Sequence, residues 1–75
     1  MTSSREGSSM RYEFTVAQRM SDTALAAFPE LERSTAPSLG TTLFGPVIDR
    51  SHIDGLLARF SDLGLEIVDM HRLPD

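Results

Sequence analysis

Residues 41–70, TTLFGPVIDRSHIDGLLARFSDLGLEIVDM, restrict the fold most, because they read as strand, helix, strand with a chemical signal at each change of direction. Ile53, Leu56, Leu57, Phe60 and Leu63 recur at i, i+3, i+4, i+7 and i+10. That spacing gathers large apolar side chains on one face of a 3.6-residue period. Two residues are chemically able to cap the start: Asp49, and Ser51 with Asp54 three positions on, the spacing of a capping box. Gly64 is the expected stop, since glycine takes a left-handed backbone without a Cβ clash, and Leu65 supplies the apolar contact that seals such an end. The flanks, Thr41 to Ile48 and Leu65 to Met70, are rich in β-formers and read as strands.

The remaining chain sets this unit in a larger pattern. Tyr12, Phe14 and Val16 alternate with Arg11, Glu13 and Thr15, which predicts a half-buried first strand. Ser21 or Asp22 caps a short helix carrying Leu25, Ala26 and Phe28, and Pro29 limits it because the residue before a proline leaves helical geometry. Leu31 to Leu39 has large apolar residues only at its two ends and contains Pro37, so it is expected as an edge strand turning at Ser38 to Gly40 into the next. Gly45 and Pro46 are expected at a bulge or a strand end. The order is therefore βαββαβ. This predicts an α+β, ferredoxin-like fold, an antiparallel sheet in order 4-1-3-2 with both helices on one face. The runner-up is a three-stranded layer in which residues 31–40 form a loop. Residues 1–9, polar and serine-rich, are expected as a disordered tail, with Met10 eligible as the translation start and a single domain over residues 10–73.

Composition narrows the function classes. Seventy-five residues build a small core and hence a marginal monomer, and with no cysteine there is no disulfide or thiolate metal site to reinforce it. A second subunit is the simplest further source of buried surface. The net charge is −4 and every basic residue is an arginine, scattered along the chain, which argues against a nucleic-acid groove. No apolar run approaches the roughly 20 residues of a membrane span, and no signal-peptide core is present, so a cytoplasmic protein is expected.

RYEFTV, TTLFGPVIDR and GLLARFSDLGLEIV together resemble a group of small bacterial proteins of unassigned function, many from actinobacteria. Their shared pattern is close to T-T-x-L-x-G-P-V-x-D, a Gly-Leu-Leu run and D-L-G-L, and the likeness covers most of residues 10–72. In that group the segment before Gly40 is a strand and an acidic turn, which implies a hairpin here, although Pro37-Ser38 departs from the turn. VIDRSHIDGLLARFSDLGLEIVDM is also similar to the β-α-β opening of ACT-type ligand-binding domains. It carries two extra residues before Gly55 and comes last rather than first, so the likeness is a local fold echo.

Candidate chemistry is sparse. Asp49, His52 and Asp54 form the one ionisable cluster that merits a test: Asp49 and His52 at a helix start could converge on a metal with a third ligand from elsewhere. The plainer expectation is that Asp49 caps, His52 is solvated and Asp54 complements the positive helix end. Ser51, His52 and Asp54 are too close in one turn to align as a catalytic triad, and His71 reads as a surface residue. There is no phosphate-binding glycine loop and no lysine, and neither an acylphosphatase-type anion site nor a CxxC. No catalytic, cofactor or metal site is assigned.

The informative anomaly is apolar. If Leu43 and Val47 face the helices, Phe44, Pro46 and Ile48 face away; if Leu65 and Ile67 face in, Val68 and Met70 face out. Strand twist, a bulge at Gly45 or the N-terminal tail would also cover such residues. The preferred expectation is a non-enzymatic binding module that forms a homodimer, or binds a protein partner, through the open sheet face or an edge strand, with Phe44, Ile48, Val68 and Met70 in the interface. The alternative is a small-molecule sensor of ACT-like type, or a dimeric α+β-barrel type enzyme, with a ligand enclosed between subunits.

Overall fold

The structure, a computed structural model, describes residues 10–35 and 40–74. The expected tail at 1–9 and the turn containing Pro37-Ser38 lie outside the described residues. Six elements follow in the order β1 (Met10–Val16), α1 (Asp22–Ala26), β2 (Glu32–Arg33), β3 (Thr41–Val47), α2 (Arg50–Asp62) and β4 (Ile67–Arg72). They form an α+β structure with one four-stranded sheet in the order β2-β3-β1-β4. Every neighbouring pair is antiparallel.

The register decides which side chains share a face, since residues directly opposite in an antiparallel pair point the same way. Phe14 lies opposite Leu43, and Tyr12 opposite Gly45. Tyr12, Phe14, Val16, Leu43 and Val47 thus line one side, and the last four are buried. The same cluster takes Ile53, Leu56 and Phe60 from α2, and Phe28 and Leu31 from the segment after α1. Phe60 stands between the layers, with its ring centroid 4.2 Å from Phe28 and 5.7 Å from Phe14. Each such contact adds about 0.5–1.5 kcal/mol beyond the apolar area it removes from water.

Helix ends follow side-chain chemistry closely. Asp49, not Ser51, caps α2: its backbone is extended and its carboxylate accepts the His52 N–H at 2.9 Å. At the other end Gly64 has φ +74°, and two bonds close the helix, Gly64 N–H to the Ser61 carbonyl and Leu65 N–H to that of Phe60, each 2.9 Å. This double closure, with Leu65 packed on the core, is the Schellman arrangement. Leu63, expected on the buried stripe, is the C-cap residue and stands exposed, because the helical period ends there. Ser21 caps α1 by accepting the Ala24 N–H at 3.1 Å.

Two expectations about strands change. Of the edge strand expected over residues 31–39, the described part, 31–35, is strand at Glu32 and Arg33. Gly45 sits in an unbroken register rather than at a bulge. Its role is close approach: a Cβ there would meet the Glu30 carbonyl oxygen at 2.7 Å and the Leu31 side chain at 2.9 Å. The chain entering β2 therefore crosses β3 where there is no side chain to hold it off. The irregularity lies instead between β1 and β4, where pairing shifts at Thr15/Val16: Thr15 faces Asp69 and Val16 faces Ile67, so Val68 is the additional residue.

Candidate functional site

β4 is built by what precedes it. Gly64 reverses the chain, the β-branched pair Ile67-Val68 favours extension, and the Gln18 carboxamide holds the entry, donating to the Gly64 carbonyl at 3.3 Å and accepting the Glu66 N–H at 3.0 Å. Among the described residues the strand pairs with β1 alone. Five of its six residues are exposed, from Val68 to Arg72. Val68 and Met70 are 56% and 38% exposed.

Backbone polarity along β4 follows from the flanking bonds. Leu73 N–H donates to the Arg11 carbonyl at 2.7 Å, just outside the Tyr12–Arg72 pair. In an antiparallel ladder this makes Tyr12–Arg72 and Phe14–Met70 the pairs that do not exchange bonds, and Glu13–His71 and Thr15–Asp69 the pairs that do. Met70 and Arg72 therefore turn their N–H and C=O groups to the outer edge.

The four residues expected in one apolar interface fall into separate places. Phe44 lies on the open face, half-buried, with the Arg11 guanidinium 5.7 Å from its ring centroid. Ile48 is 67% exposed just past the end of β3, near the Met10–Val47 pair, while Val68 lies at the opposite end of the sheet near Val16. Met70 is opposite buried Phe14 and so points to the helix side, not away from it. The irregularity at Val68 reverses the alternation after Ile67, which corrects the expected orientation. Val68 and Met70 remain neighbours on one edge strand; Phe44 and Ile48 do not join them.

On the open face of β4, His71 is held between two carboxylates. Its Nδ1 is 2.8 Å from Asp69 and its Nε2 is 3.2 Å from Glu13 on the adjacent strand. The sequence places His71 on the surface; Asp69 is its neighbour two positions back in the strand, and the β1–β4 register brings Glu13 to it. The open face around this cluster is mixed, with Arg11, Thr15, Thr42 and Glu32 beside Phe44 and Pro46. Thr15 contacts Thr42 on this face, Oγ1 to Oγ1 at 3.5 Å.

Asp49, His52 and Asp54 go to separate partners. Asp49 is spent on the cap, and Asp54 lies 4.0 Å from Arg50 on the exposed side of α2. His52 accepts the Ile48 N–H on Nδ1 at 3.1 Å, which leaves the ring proton on Nε2, facing Glu30 at 3.7 Å. Among the described residues no group of three or more His, Cys, Asp or Glu is placed to hold a metal ion. Glu30 also meets Arg59, whose Nη1 donates at 3.0 Å to the carboxylate and at 2.9 Å to the Ala27 carbonyl. Partial burial pushes the Glu30 carboxyl upward, but the hydrogen bond from its own backbone, the Arg59 bond and charge, and His52 together hold it below its ordinary value. The cluster joins α2 to the segment entering β2 and is fully occupied in doing so.

A concavity of about 410 Å³ lies beside the β4 irregularity, lined by Thr15, Val16, Ala17, Gly40 and Val68. No ionisable side chain is among these lining residues.

The family described as Domain of unknown function (DUF8691) matches residues 11–71. The chain belongs to this family. The DUF8691 span reaches from the second residue of β1 to the fifth of β4, so it takes in all of the sheet but its two terminal residues, Met10 and Arg72, and both helices. No curated protein and no solved structure matches the chain. Among the described residues, no helix is long and apolar enough to cross a membrane.

Proposed function

We propose that this domain is a non-enzymatic interaction module that self-associates by adding a strand to the outer edge of β4. The observation that carries this reading is an edge strand, Ile67–Arg72, with five exposed residues, Val68 and Met70 among them. Its outward Met70 and Arg72 backbone groups have no neighbouring strand among the described residues. Such an edge recruits another strand through main-chain bonds, and exposed apolar side chains add affinity. The small core of a chain this short gives dimerisation a stabilising role as well.

The fold reading that accompanies this function is the ferredoxin-like arrangement, supported by the observed order, which reads β4-β1-β3-β2 from the opposite edge. A bacterial, mainly actinobacterial origin and a cytoplasmic location belong to the same proposal.

Light scattering and sedimentation between about 1 µM and 1 mM test the proposal, a range that captures association free energies of roughly −4 to −8 kcal/mol. A dimer that Met70→Arg converts to a folded monomer is the expected result. A strict monomer across the range, or a dimer indifferent to that substitution, overturns it.

A further inference from the structure

We infer that the partner strand is β4 of a second copy, paired antiparallel about a two-fold axis at Met70, with Asp69 of each copy opposite His71 of the other. The inference rests on the edge reading above and adds the register. A two-fold axis perpendicular to the sheet must pass through one residue of β4 facing its own copy, because residues directly opposite keep the same side of the sheet. The exposed run has five residues, and Val68, the additional residue at the irregularity, has no partner in the regular register, which leaves four positions: Asp69, Met70, His71 and Arg72.

Charge separates them. An axis at Asp69 sets two carboxylates against each other, and one at Arg72 sets two guanidinium groups against each other. Like charges directly opposite are destabilising. An axis at His71 pairs two imidazoles that already lie against the carboxylates of Asp69 and Glu13, and it sets apolar Met70 against Arg72. An axis at Met70 alone sets apolar against apolar and opposite polarity against opposite polarity, twice.

The backbone agrees with that choice. Met70 presents its N–H and C=O outward, so two copies at the axis exchange a pair of bonds, Met70 N–H to Met70 C=O in each direction. Asp69 and His71 turn their own backbone groups inward to β1, as the flanking positions of such a ring require. The Met70 side chains meet on the helix side, and the Asp69–His71 pairs lie on the open face. The two sheets become one eight-stranded sheet with all four helices on the same side, and the irregularity at Val68 ends the new ladder.

The absence of native cysteine makes the register directly readable. Single variants Asp69→Cys, Met70→Cys, His71→Cys and Arg72→Cys are each oxidised as folded protein and resolved without reductant. With the axis at Met70, only that position brings two Cα atoms within the roughly 4.4–6.8 Å a disulfide needs, since its neighbours lie about 8 Å apart or more. Met70→Cys is expected to cross-link at least about tenfold faster than the other three. A mixture of Asp69→Cys and His71→Cys chains should form the mixed dimer although neither forms its own, a readout that leaves Met70 intact. Fastest cross-linking at 69, 71 or 72 in a protein that dimerises overturns the register and leaves the edge reading standing. A native protein that remains monomeric overturns both.

Discussion

The two edges of this sheet are built oppositely. β2 has two residues, Glu32 and Arg33, both charged and exposed, and its approach is fixed from behind by the Glu30–Arg59 contact and by the passage over Gly45. β4 has six residues, two of them exposed and apolar, and its side-chain charges on the open face are largely taken up within the sheet by Asp69, His71 and Glu13. Short length and charged side chains are ordinary means of keeping an edge from recruiting strands. One edge uses them; the other does not. On the proposed reading, strand addition would therefore take place at the β4 edge.

That contrast can be broken most severely from the β2 side. Gly45→Val should cost about 3 kcal/mol in chemical denaturation, because its Cβ alone reaches the Glu30 carbonyl oxygen at 2.7 Å and the crossing backbone has nowhere to go. A cost below about 1 kcal/mol would show that the entry to β2 slides freely over β3. On the β4 side, Met70→Arg should weaken dimerisation about 100-fold, equivalent to roughly 2.7 kcal/mol, while the monomer's unfolding midpoint barely moves. Equal losses in both measurements would mean that Met70 belongs to the core.

Smaller effects sharpen the comparison. Arg59→Ala should cost about 1–2 kcal/mol, since it removes a bond to the Ala27 carbonyl, the Glu30 pair and the guanidinium stacked 5.2 Å from the centre of the Phe28 ring. It should leave dimerisation unchanged. Gly64→Ala forces φ +74° on a residue with a Cβ and should cost about 1 kcal/mol. The smallest effect is pH-dependent. Glu30 is held below its ordinary value, so its contribution is complete above the unfolded glutamate pKa of about 4.3 and disappears as pH falls through the lower folded value. Glu30→Gln should flatten that part of an acid-unfolding curve; an unchanged acid limb would assign it to other carboxylates.

The sequence made α2 legible almost residue by residue, because its signals are local. Ile53, Leu56 and Phe60 are buried, Asp49 is one of the two caps expected, and Gly64 takes the left-handed conformation its position required. The first strand was equally readable from its alternation. What was not legible depended on pairing between distant segments. Counting by twos from Ile67 put Met70 outward, but one additional residue opposite Val16 restores it to the side of Phe14. No glycine or proline at Val68 announces that shift. Gly45 and Pro46 carry a signal that fits a bulge or a strand end; the cause of the glycine, the crossing of Glu30 and Leu31, lies some fifteen residues away in sequence. The carboxylate of Glu13 beside His71 was hidden for the same reason, since it reaches the imidazole only through the register.

The Gln18 carboxamide has a dynamic consequence. By gripping both the Gly64 carbonyl and the Glu66 N–H, it fastens β4 at its origin, whereas the far end is held by the Leu73–Arg11 bond before the chain runs out of the sheet. A strip glued at one end peels from the other. Amide exchange should accordingly advance from Leu73 through His71 toward Asp69, leaving the start of the strand closed longest.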